Sequence, residues 1–136
     1  MRYSIPLIIL FCLVIVGLSA CSSEKQEINI LEKKTREQIE AVNRLFKEHP
    51  DEKQFTLTIV APVKVSLNLK ENSAITTTEV KMAAMRSPDR KEIESVRMSW
   101  RRYQNSGWEM EYVSPRELNE TLLMIKQIEQ FKKTRQ

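Results

Sequence analysis

Between Phe55 and Leu69 every second residue is apolar, and no other feature of the chain restricts its fold so strongly. Phe55, Leu57, Ile59, Ala61, Val63, Val65, Leu67 and Leu69 share one phase of the alternation. Thr56, Thr58, Val60, Pro62, Lys64, Ser66 and Asn68 take the other. Successive strand side chains point to opposite faces, so this pattern predicts a sheet with one buried and one wet face. Unbroken, such a strand would run about 50 Å, too long for one domain. Pro62 has no N–H to give to a ladder, which places it at an edge or a bulge. A bend or break is expected there.

The remaining elements are set by period and punctuation. Residues 26–48 read as a helix with a stripe of Ile28, Leu31, Thr35, Ile39, Val42, Leu45 and Phe46, stopped at His49-Pro50. Opposite charges four apart, such as Glu32 with Arg36, Glu40 with Arg44 and Arg44 with Glu48, suit its wet face. Packing on the domain's own sheet and pairing with another helix compete for the stripe. Glu71-Asn72-Ser73 reads as a turn, residues 75–86 as a strand, and Ser87-Pro88-Asp89 as a break. Residues 92–103 fit either period, and the segment after them decides for a strand. A three-residue turn at Asn105-Ser106-Gly107 would set Gln104 opposite Trp108 and Trp100 opposite Tyr112, with Met110 on that side and Arg101 facing Glu111. Gly107 would take the left-handed position. Ser114-Pro115-Arg116-Glu117 reads as a capping box with proline at the first helical position. Leu118, Leu122, Ile125 and Ile128, flanked by Met124 and Phe131, then give a helix with a broad apolar face. Lys132, Lys133 and Arg135 sit at the negative end of its dipole. The whole predicts an α+β domain: an N-terminal helix, about four antiparallel strands, and a C-terminal helix packed on one sheet face.

The first twenty residues have a different character. Arg2 precedes an unbroken apolar run, IPLIILFCLVIVGL, which ends in small residues. At 1.5 Å per residue this run covers about 21 Å, short of a hydrocarbon core of roughly 30 Å, and suits an export signal better than a permanent span. It closes on Leu18-Ser19-Ala20-Cys21. This segment resembles the lipobox of bacterial lipoproteins. The resemblance covers residues 1–21 only. It implies cleavage before Cys21, a diacylglycerol on the Cys21 sulfur and an acylated amine, giving the two or three chains a stable anchor needs. The division expected is a signal peptide at 1–20, a short lipidated tether at 21–25 and one domain at 26–136. Ser22, rather than aspartate, in the second mature position implies the outer membrane, facing the periplasm, if the host is Gram-negative. In a Gram-positive cell the place implied is the outer face of the plasma membrane. The element order and the Gly107-Trp108 hairpin also resemble, in architecture alone, cystatin-like or nuclear-transport-factor-like lipoprotein domains. The terminal helix departs from that pattern, and no functional residue is carried over.

The mature part has little with which to build a reactive site. Cys12 leaves with the signal and Cys21 is taken by lipid, so no disulfide, nucleophilic thiol or thiolate metal ligand remains. His49, the single histidine, lies at a helix end beside proline and reads as a cap. Gly107 is the only glycine after the signal, so no glycine-rich loop can cradle phosphate. No cofactor, no metal and no enzymatic activity are expected. The net charge of +4, one less once Arg2 is removed, is not clustered as nucleic-acid binding requires. Arg97, Arg101 and Tyr103, with Glu109, Glu111 and Val113 beside them, should form the hairpin's polar face. Arginine and tyrosine are enriched where proteins bind proteins, although a solvated charge ladder would use the same residues. The reading preferred is a non-catalytic envelope module that binds another protein. A periplasmic inhibitor, immunity or exclusion lipoprotein and a small-ligand carrier stand as alternatives.

Overall fold

The computed structural model describes the backbone of residues 4–49, 55–84 and 87–135, with side chains for 23–49, 55–83 and 92–135. The elements run α1 (Ser4–Glu48), β1 (Phe55–Ile59), β2 (Lys64–Asn68), β3 (Ser73–Ala84), β4 (Ser87–Tyr103), β5 (Gly107–Ser114) and α2 (Arg116–Thr134). They form two units, Met1–Ile30 and Leu31–Gln136. The fold is α+β, two helices and a curled antiparallel sheet. The helix expected from residue 26 starts at Ser4 instead, so residues 21–25 carry helical backbone. The apolar run favours helix, and Ser22-Ser23 is too weak a breaker to interrupt it. The side chains of the lipobox, Cys21 included, lie outside those described. Among the described residues, no helix is long and apolar enough to cross a membrane.

The second unit holds the sheet, in the order β1-β3-β4-β5, with β2 also on β3. β1 and β2 are the two halves of the alternating segment, both antiparallel to β3 and separated at Pro62. Ile59 pairs with Val80 and Lys64 with Thr77, so residues 60–63 bulge opposite only 78 and 79. The excess is even, so the side-chain phase survives the break and odd positions face inward on both halves. Val60 N–H donates to the Glu79 carbonyl at 2.9 Å, and buried Thr78 donates its hydroxyl to the Ala61 carbonyl at 2.8 Å. Both bonds hold the first half of the bend, at Val60 and Ala61.

From Leu31 onward the α1 stripe packs on the sheet's inner face, which resolves the competition over it. Leu31, Ile39, Val42 and Phe46 join Leu57, Val80, Val96, Met98, Trp100, Trp108 and Val113 in one core. The Phe46 and Phe55 rings meet edge to face, 4.7 Å between centroids. On the wet side of α1 the Glu32–Arg36, Glu40–Arg44 and Arg44–Glu48 pairs do not close, whereas Lys33 reaches Glu37 at 3.8 Å. Exposed pairs gain too little to hold two long side chains in one geometry.

Thr35 sits on the same stripe and is buried with Thr76 of β3. Their hydroxyl oxygens lie 2.9 Å apart, Trp100 Nε1 is 2.9 Å from Thr76 Oγ1, and Thr35 Oγ1 is 2.8 Å from the Leu31 carbonyl. With one proton per hydroxyl, the set closes when Trp100 donates to Thr76, Thr76 to Thr35, and Thr35 to Leu31. Each of these three side chains then has its hydrogen bond, as burial demands. The hydroxyls tie helix to sheet.

Two asparagines close the sheet's edges. The Asn43 amide of α1 brackets Leu57 of β1, donating to its carbonyl at 2.9 Å and accepting its N–H at 2.8 Å. On the opposite edge, Asn119 Oδ1 of α2 accepts Val113 N–H of β5 at 3.0 Å. Free strand edges template unwanted pairing, and each helix removes part of one.

Three expectations at the ends of elements are corrected. The break expected at Ser87-Pro88-Asp89 falls inside β4, where Ala84 pairs with Ser87 and Ala83 with Lys91. Those residues form a bulge in the strand, which accommodates a proline. The strand expected over 75–86 runs from Ser73 to Ala84, and residues 85–86 lie outside those described. The capping box is not made: α2 begins at Arg116, Pro115 is its N-cap, and no side chain caps it. Ser114 ends β5 opposite Arg97 and so stands one position before the cap rather than at it.

Candidate functional site

The β4–β5 hairpin carries the residues the sequence singles out. Its loop has three residues, as expected, but one position earlier: Tyr103 pairs with Gly107, leaving 104–106 as the loop. Gly107 takes the left-handed conformation at φ 74°, where it has no Cβ to clash. From this turn Arg102 pairs with Trp108, Arg101 with Glu109 and Trp100 with Met110. A bulge then intervenes. Ser99 pairs with Tyr112 and Met98 with Val113, so Glu111 is the extra residue.

One inserted residue reverses the faces beyond it. Tyr112, expected inside beside Met110, is turned outward and is 50% exposed. Val113, expected on the polar face, is fully buried at 0%. The pairing expected between Trp100 and Tyr112 is accordingly replaced by Trp100 with Met110. The core gains from this exchange because a branched aliphatic replaces a phenol whose hydroxyl would need a partner.

The outward face can be read as rows across the strands. Lys64, Thr77, Arg97 and Ser114 form one; Ser66, Ile75, Ser99 and Tyr112 the next; Asn68, Ser73, Arg101 and Glu109 the third. Ser66, Thr77 and Ser99 surround Ile75 at the centre of this surface, and Arg97, Arg101 and Tyr112 lie toward β5. Tyr103 lies at the hairpin end, exposed. Four of the five candidates, Arg97, Arg101, Tyr103 and Glu109, thus share the outward face. Glu111 is exposed at the bulge and meets Arg101, its carboxylate 2.7 Å from Arg101 Nε. Arg101 faces Glu109 in the ladder but bonds Glu111 on the diagonal.

The hydrogen bond that Arg101 donates to Glu111, then the Glu111 charge, holds the guanidinium pKa above its ordinary value, with Tyr103 and Glu71 adding to the effect. Arg116, bonded to Glu120 at 2.8 Å, is raised in the same way, with a smaller contribution from Tyr112. Both guanidinium groups stay charged at any pH a cell maintains. Each is exposed and fixed by one carboxylate, which leaves its remaining N–H donors toward solvent. This surface can bind carboxylates and backbone carbonyls through arginine and lay tyrosine rings on a flat partner. Nothing in it pairs a nucleophile with a base.

Sequence reasoning missed Tyr112, and the one signal that could have found it is Val113. Two large apolar residues adjacent at the end of an alternating strand cannot both face inward. Among the described residues, no three His, Cys, Asp or Glu side chains are grouped so as to hold a metal ion. Comparison with family models, characterised proteins and solved structures finds no match to this chain.

Proposed function

We propose that the chain is a lipid-anchored protein of the bacterial envelope, and that its domain docks a protein partner through the outward face of β4 and β5. It is non-catalytic and joins a larger assembly rather than transforming a substrate. Anchoring rests on the Leu18-Ser19-Ala20-Cys21 segment, with acyl chains on Cys21 supplying the membrane affinity. In a Gram-negative host the anchor sits in the outer membrane and the domain faces the periplasm.

The observation that carries the docking reading is the outward placement of Arg97, Arg101, Tyr103 and Tyr112 together on one sheet face. Such residues contribute disproportionately to binding energy because they desolvate large, rigid surfaces while keeping hydrogen-bonding tips. Holding the partner's approach to two dimensions adds affinity without new contacts.

Photo-crosslinking tests it. A photoreactive residue at Ser99, in the middle of the patch, should give one stoichiometric adduct in intact cells. The same group at Lys33, on the wet side of α1, should not. Equal and diffuse labelling from both positions would refute the docking face. Anchoring is tested separately by Cys21→Ser, which should leave the precursor uncleaved and without diacylglycerol by mass spectrometry.

A further inference from the structure

At the end of the inner face away from the hairpin, the sheet and the start of α2 border a cavity of about 270 Å³ that opens to solvent on one side. Leu57 of β1, Val80 and Met82 of β3, Val96 of β4 and Leu118 of α2 form its apolar walls. A cavity of roughly 150 Å³ already admits benzene, so this one has room for a ring with a short side chain.

One residue breaks the apolar pattern. Glu94 pairs with Val80 across the β3–β4 ladder and shares the inward phase of Val96, Met98 and Trp100. Glu94 lines the cavity half-buried, and no described residue gives its carboxylate a hydrogen bond or an ion pair. Glu117, in the first turn of α2, is the second carboxylate of the lining, which contains no lysine or arginine among the described residues. A half-buried carboxylate with no partner among the described residues forgoes part of its hydration, a cost that a complementary cation removes. Inward charges also guard strand edges, and β4 has no β5 neighbour before Arg97. That use does not explain the apolar space beside Glu94, to which Glu117 adds an exposed carboxylate at the mouth in the first turn of α2.

We propose that this cavity binds a small amphiphilic cation, a ring-sized apolar body bearing a primary ammonium group. The apolar body lies against Met82, Val96 and Leu118, and the ammonium donates to Glu94, with Glu117 nearby. The site is on the opposite face of the sheet from the docking surface and stands independently of it.

The test uses the full lipidated protein in zwitterionic nanodiscs with ¹³C-labelled methionine methyls. Met82 reports on the cavity, while Met98, in the core, reports on the fold. Phenethylammonium, phenethyl alcohol and hydrocinnamate share a ring and differ in charge. Phenethylammonium should shift the Met82 methyl saturably and bind about tenfold more tightly than the alcohol, with the anion weakest. Glu94→Gln should erase the preference for the amine over the alcohol while leaving the Met98 signal in place. A Met82 signal unmoved by all three probes, equal affinities for them, or a preference that survives Glu94→Gln would each overturn the proposal.

Discussion

The two faces of this sheet use hydroxyl-bearing side chains in opposite ways. Inside, Thr76 and Thr78 are buried, and each spends its proton on a defined acceptor across the domain. Outside, Ser66, Thr77 and Ser99 lie toward solvent around Ile75, and only Ser99 has a protein acceptor, the Tyr112 carbonyl at 3.5 Å, among the bonds these three side chains make. The difference is one of partners. A hydroxyl removed from water stabilises only if the structure supplies its hydrogen bond, so the inner face is over-determined, while the outer face tolerates exchange. Stability should therefore respond to the inner face and binding to the outer.

The largest loss should come from Trp100→Ala. It removes a fully packed ring and the Thr76 donor together, and should cost about 3–5 kcal/mol in denaturant unfolding. Next comes Thr76→Val, which keeps the volume but leaves Trp100 Nε1 unpaired and Thr35 without its donor, for about 1–3 kcal/mol. The double variant with Thr35→Val should cost less than the two singles added together. Strict additivity would break the hydrogen-bonded series from Trp100 to Leu31. Asn43→Ala should cost about 1–2 kcal/mol and, unlike a core change, speed amide exchange at Leu57 selectively. Arg101→Ala, at the bottom of the scale, should leave the unfolding midpoint at the wild-type value, since an exposed pair contributes little.

How much of this was legible depended on whether the signal was periodic or positional. The buried stripe of α1 and the alternation through β1 and β2 were readable because each repeats, and the Pro62 bulge inserts an even excess that preserves phase. The Glu111 bulge was not readable from Trp108, Met110 and Tyr112, which alternate as though the strand continued. Only the misplaced Val113 betrays it. Asn43 and Asn119 look like solvent-facing helix residues, because a side chain that closes a strand edge leaves no periodic trace. The broad apolar face expected of α2 proved narrower. Leu118 and Leu122 are buried, whereas Met124 is exposed and Phe131 is 71% exposed, since the sheet beneath α2 accepts a single stripe. Among the site candidates, Arg97, Arg101, Tyr103, Glu109 and Glu111 were found from hairpin alternation, and Tyr112 joined them through the bulge.

A single variant bearing Arg97→Ala, Arg101→Ala and Tyr112→Ala separates the two faces most directly, with crosslinking from Ser99 and thermal unfolding measured on the same protein. If the outer face serves binding alone, the midpoint stays within a few degrees of wild type and the crosslinked adduct is lost. An adduct formed at the wild-type yield by the stably folded variant would contradict that assignment.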